Sequence, residues 1–126
     1  MDFDSANPEL QSIACEVFDK IPKDAQRRIE STCERVTFIV NGGYEAEFFD
    51  AERLIRVVVP RINAFSEQGK RGIFAHEFGH ADVYAQWGLP PGDASEKLAN
   101  MCAQSWGFLH EIDTMKADAA RLPQGQ

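Results

Sequence analysis

The sequence predicts an α+β fold in which a small, mostly antiparallel sheet packs against helices. Three observations predict it. Apolar residues recur at helical spacing over 8–20 and 73–87; β-branched residues crowd 36–40 and 54–59; strong turn chemistry at Asn41-Gly42-Gly43 and Asp50-Ala51-Glu52 separates the runs. At 126 residues, the chain has the usual size of one domain, expected to span 1–126 with residues 1–7 and 121–126 flexible.

Taken in order, Asn7-Pro8-Glu9 reads as an N-cap with proline at the first helical position, and Leu10, Ile13, Ala14, Val17 and Phe18 carry a helix to Lys20. Pro22 restarts the chain, and Ala25, Ile29 and Cys33 mark a thinner stripe on a second helix ending near Glu34. The run 36–40, the Asn41-Gly42-Gly43 turn and the alternating YEAEFF read as a hairpin, with a third strand at 54–59 stopped by Pro60. Residues 63–72 carry Gly69 and Gly72 and give no clear period. A helix over 73–87 follows, ended at Gly88, and a last helix begins near Asp93, with Gly107 as a point of bending and the tail LPQGQ fading into disorder.

Composition narrows the function classes. The 44% apolar and 26% charged fractions are those of an ordinary globular protein, and the net charge of −7 argues against a phosphate-backbone partner. No apolar run resembles a secretory signal or a membrane span, so a cytoplasmic location is expected, with export lacking a cleaved signal left open. Cys15, Cys33 and Cys102 are widely spaced and form no metal-type pair; they are expected as reduced, mostly buried thiols.

The chemistry concentrates in FAHEFGHADVY, residues 74–84, which holds two of the three histidines. Residues four apart on a helix stand one above the other, so His76 and His80 can grip one cation, while Glu77 on the flank can reach water beside it without being a ligand. Zinc suits such a clamp because it takes neutral imidazole nitrogens and keeps a position open for water, and one Zn2+ is the expected cofactor. The apolar flanks Ile73, Phe74, Phe78, Ala81 and Val83 predict burial, where unpaired imidazoles and a carboxylate would be costly.

A catalytic zinc needs a third protein ligand, and no later histidine follows His80 at metzincin spacing. The acidic candidates are Asp82, Asp93, Glu96, Glu111 and Asp113. Asp82, two residues past His80, points off the histidine face. Glu96 opens a helix that can fold back after the Pro/Gly turn, and Asn100 shares its face as a hydrogen-bond partner for a ligand imidazole. Two alternatives stay open: Glu96 as the closing member of a D-x-x-E capping box begun at Asp93, and Asp93 itself as the ligand. His110 lies about 21 Å from Glu96 along an unbroken helix at about 1.5 Å per residue, beyond reach unless Gly107 bends the chain. Tyr84, one turn past His80, is a core residue that also has the reach to contact substrate.

HEFGH followed by EKLAN resembles the gluzincin signature, HExxH with a glutamate and a further polar residue on the next helix. It is similar in particular to ImmA/IrrE-type peptidases and to the minigluzincins, over residues 73 to 108. The resemblance implies a minimal zincin-like fold in which His76, His80 and Glu96 hold zinc, Glu77 is general base and acid, and Asn100 orients a histidine. It implies peptide-bond hydrolysis of a peptide or protein substrate held by strand addition along 54–59; so short a chain leaves no room for a separate specificity domain, so a protein partner is the expected source of selectivity. Two departures stand out: the gap from His80 to Glu96 is shorter than in most gluzincins, and asparagine replaces the commoner aspartate. A zinc-stabilised regulatory module without efficient activity is the competing expectation. No membrane or nucleic-acid partner is expected.

Overall fold

A computed structural model describes residues 1–123. Expectations for residues 124–126, the end of the predicted tail, fall outside the described residues. The chain is α+β. Its strands are β1 (Asp2–Phe3), β2 (Arg35–Ile39), β3 (Ala46–Phe49) and β4 (Leu54–Val58). Its helices are α1 (Pro8–Lys20), α2 (Lys23–Glu30), α3 (Val59–Ile62), α4 (Glu67–Trp87), α5 (Asp93–Ser105) and α6 (Leu109–Arg121). None of these helices is long and apolar enough to cross a membrane.

α1 begins where the sequence places it, with the Asn7 side chain accepting from the Leu10 N–H at 3.1 Å and Pro8 in the first turn. The first residues make contacts with the body of the chain. β1 pairs with β2, and the terminal ammonium lies 2.7 Å from the Glu30 carboxylate. Arg121 likewise closes α6. α2 is shorter than its apolar stripe suggests, because Cys33 is buried in the turn after the helix.

The sheet is mixed, ordered β1-β2-β4-β3, with β1–β2 and β2–β4 parallel and only β3–β4 antiparallel. The expected β2–β3 hairpin does not form. A two-residue hairpin turn of that kind needs positive φ, yet among the described glycines only Gly88 and Gly107 have it. Gly42 serves a close approach instead: a Cβ there would sit 2.7 Å from Val58 Cγ2. The hairpin turn is the one after β3, where Arg53 takes φ 59°. β4 is apolar on both faces, so it belongs in the sheet interior, and β3 becomes the edge.

α4 is the axis of the molecule. α1 and α2 pack on it, α5 and α6 pack on it, and β3 lies along it. The helix starts at Glu67, six residues earlier than its apolar period shows, and the Ser66 hydroxyl caps it by accepting from the Gly69 N–H at 3.1 Å. Gly69 and Gly72 are contact points rather than breakers, since a Cβ on Gly72 would strike the Glu111 carbonyl of α6. Gly88 in the left-handed region (φ 66°) ends the helix, as expected.

Candidate metal centre

α4 carries His76 and His80 one turn apart, their rings edge to face with centroids 4.6 Å apart and their Nε2 atoms 3.1 Å apart. Glu96, in the first turn of α5, reaches both. Its Oε1 is 2.9 Å from His80 Nε2 and its Oε2 is 3.1 Å from His76 Nε2. One ligand atom from each of the three residues falls within 4.8 Å of the others. Atoms about 3 Å apart suit an ion that bonds each at about 2.0–2.1 Å.

α5 can deliver Glu96 because Gly79 has no side chain: a Cβ there would meet the Ala99 carbonyl oxygen. The glycine of HEFGH therefore sets the distance between the two helices. The capping box drawn between Asp93 and Glu96 is not formed. Gly92 is the N-cap, its N–H donating to Ser95 Oγ at 3.1 Å while the Ser95 N–H donates to Gly92 O at 3.0 Å, and Glu96 is left to the histidines. Asp93 lines the neighbouring cleft but stands outside the triad.

Behind the rings, His76 Nδ1 lies 2.6 Å from Asn100 Oδ1, as the helical spacing predicts. His80 Nδ1 lies 3.2 Å from Ser95 Oγ, a partner the sequence reading missed. The signal available for it was its place three residues after Gly92, where a serine turns back toward the helix start.

Glu77 is buried, and its Oε1 accepts the Phe48 N–H of β3 at 2.9 Å. Its Oε2 lies 3.9 Å from His76 Nε2. Burial pushes its carboxyl up to about 8, partly offset by His76 and the Phe48 N–H and reinforced by the charges of Glu96 and Glu47. Glu96 is held at about 2, chiefly by its hydrogen bond to His76. Burial pulls both histidines down. For His76 the Glu96 hydrogen bond and the Glu77 charge outweigh burial and raise it, whereas His80 stays lowered by burial and by His76.

A cleft of about 700 Å³ opens over the triad between β3, α4, α5 and α6. Glu47, Asp50 and Asp93 contribute acidic wall, while Phe65, Ile73 and Met115 contribute apolar wall. The strand along it is β3, not 54–59 as expected, because β4 has neighbours on both sides. The Val58 N–H donates to Glu45 O at 2.9 Å, so in the antiparallel register Glu47 also faces β4 while Ala46 and Phe48 turn their backbone groups outward. The Phe48 bond to Glu77 agrees with that alternation.

The remaining candidates lie elsewhere. Asp82 is 1% exposed and paired with Arg28, at 2.7 Å to Nε and 3.2 Å to Nη2. Tyr84 packs its ring on Phe48 at 6.0 Å and does not line the cleft. Gly107 (φ 99°) does break the chain between α5 and α6, yet His110 is exposed and also outside the cleft lining. Glu111 and Asp113 lie on α6, outside the triad. All three cysteines are free thiols, and burial raises each, Cys33 to about 12 and Cys102 to about 11, which disfavours the nucleophilic thiolate. Comparison with protein families, curated proteins and solved structures finds no match for this chain.

Proposed function

We propose that this chain is a zinc-dependent endopeptidase with a minimal zincin-like, gluzincin-type site. The observation that carries the proposal is a convergence of acceptors. With each Nδ1 engaged behind its ring, His76 Nε2, His80 Nε2 and both Glu96 oxygens turn toward one point, with separations of 2.9–3.1 Å and no N–H or O–H supplied between them except a proton on histidine. Such a set suits a cation. Two imidazoles and one carboxylate with a cleft in front match the ligand set of a catalytic zinc site.

Bound zinc supplies a Lewis acid and a water acidified to a pKa near 7. Glu77 would then take a proton from the attacking water and return it to the leaving nitrogen, a role that fits a buried carboxylate whose Oε2 lies 3.9 Å from His76 Nε2. The outward Ala46 N–H and C=O and the Phe48 C=O align an extended peptide along β3, while the Phe48 N–H holds Glu77.

The test is to incubate the zinc-loaded protein with unfolded proteins and mixed peptides, with Glu77→Gln as control. The proposal expects cleavage that disappears in the variant and on chelation. Zinc bound at the triad with no cleavage of any substrate would instead assign the chain to the zinc-stabilised regulatory modules.

A further inference from the structure

Ser95 Oγ is fully enclosed and has four polar neighbours: Gly92 N at 3.1 Å, Gly92 O at 3.0 Å, Pro90 O at 3.1 Å and His80 Nδ1 at 3.2 Å. A hydroxyl has one proton and two lone pairs. The Gly92 N–H can only donate and so takes one lone pair, while the two turn carbonyls can only accept and lie closer to the hydroxyl than His80 Nδ1 does. With the hydroxyl proton on either carbonyl, the remaining lone pair faces His80 Nδ1 and takes that ring's proton. That is the tautomer whose Nε2 lone pair faces His76 and Glu96.

We propose that Ser95 is a positioning residue that locks His80 in the Nδ1–H tautomer and thereby sets the affinity of the site for its metal. Among the described residues no other hydrogen bond reaches His80 Nδ1, whereas His76 has Asn100 for the same purpose. Both carbonyls that take the serine proton belong to the turn between α4 and α5, so one hydroxyl couples the shape of that turn to the orientation of a ligand ring. The affinity half of this inference rests on the metal-site reading above; the tautomer half does not.

The experiment is long-range 1H–15N spectroscopy of the histidine rings in metal-free wild type and Ser95→Ala, at a pH where both rings are neutral. It is paired with zinc affinity by chelator competition at a temperature where both proteins are folded. Wild-type His80 should be the Nδ1–H tautomer, and Ser95→Ala should shift it toward Nε2–H and bind zinc about 10–100-fold more weakly. A purely structural serine would lower the melting temperature but leave tautomer and affinity unchanged, which would overturn the proposal. So would an Nε2–H tautomer in wild type, a measurement that decides the matter even if the variant does not fold. If wild type binds no zinc yet shows the expected tautomers, the metal-site reading fails while the role of Ser95 in fixing the ring stands.

Discussion

The Phe48 N–H of the edge strand donates to Glu77 Oε1 at 2.9 Å, joining the strand along the cleft to the buried carboxyl beside His76. Glutamine at position 77 keeps an oxygen for that N–H and loses the ionisable group. Glu77→Gln should retain zinc binding while turnover falls by about 10²–10⁴-fold, as when a general base is lost. The check is kcat alongside chelator competition; a variant that cleaves like wild type removes Glu77 from the chemistry.

The same variant should stabilise the metal-free protein in a pH-dependent way. The folded carboxyl titrates at about 8 against an ordinary 4.5. Below 4.5 both states are protonated and ionisation costs nothing. Between 4.5 and about 8 the unfolded chain ionises while the folded one keeps its proton, so the cost to folding grows with pH and is complete above about 8. Melting curves of the stripped proteins should coincide near the acid end and separate with rising pH, with Glu77→Gln higher by at least about 4 °C at the alkaline end. Curves that stay superimposed throughout contradict the burial argument.

Gly79→Ala places a methyl against the Ala99 carbonyl and pushes α5 away. Because α5 carries Glu96 and Asn100 together, the variant should lose about 1–3 kcal/mol of stability to overpacking and bind zinc at least about tenfold more weakly. Gly43→Ala, with open space around its added carbon, is the control and should change stability by less than about 0.5 kcal/mol.

Asp82 and Glu96 separate stability from ligation. Asp82→Ala removes the buried carboxylate of Arg28 and leaves it only the exposed Asp24, and should cost about 1–3 kcal/mol in urea denaturation, with zinc affinity unchanged. Glu96→Gln should do the reverse. Equal zinc affinity in wild type and Glu96→Gln would return the third-ligand role to another acid.

Asp118 of α6 accepts from the Ser66 N–H at 3.0 Å and from its hydroxyl at 2.5 Å, and these bonds hold its carboxyl below the ordinary 3.8. A depressed carboxylate stabilises the fold above its unfolded pKa and loses that contribution as pH falls through its folded value. Asp118→Ala should therefore be about 1 kcal/mol less stable than wild type at neutral pH, with the gap closing below 3.8. A gap that persists in acid would show that packing, not charge, carries the contact.

Local signals located most of what was legible in the sequence. Pro8 after Asn7 marked the start of α1, Gly88 the end of α4, and the four-residue spacings placed His76 over His80 and Glu96 near Asn100. What was not legible depends on contacts between distant segments. Gly42 reads as a turn residue, yet it is small because the chain passes Val58 there, so strand order and the identity of the edge strand were misread. Gly69 and Gly72 look like helix breakers until α6 is in place. The spacing of Ser95 from Gly92 marks only the helix start, since its contact with His80 exists only once α5 folds back on α4.

A crystal structure of the zinc-soaked protein, with anomalous scattering to locate the ion, tests the central claim most directly. One zinc should be bonded by His76 Nε2, His80 Nε2 and a Glu96 oxygen at about 2.0–2.2 Å, with an open position facing the cleft beside Glu77. A zinc held elsewhere, or one lying more than about 4 Å from Glu96 while both histidines bind it, would contradict that ligand set.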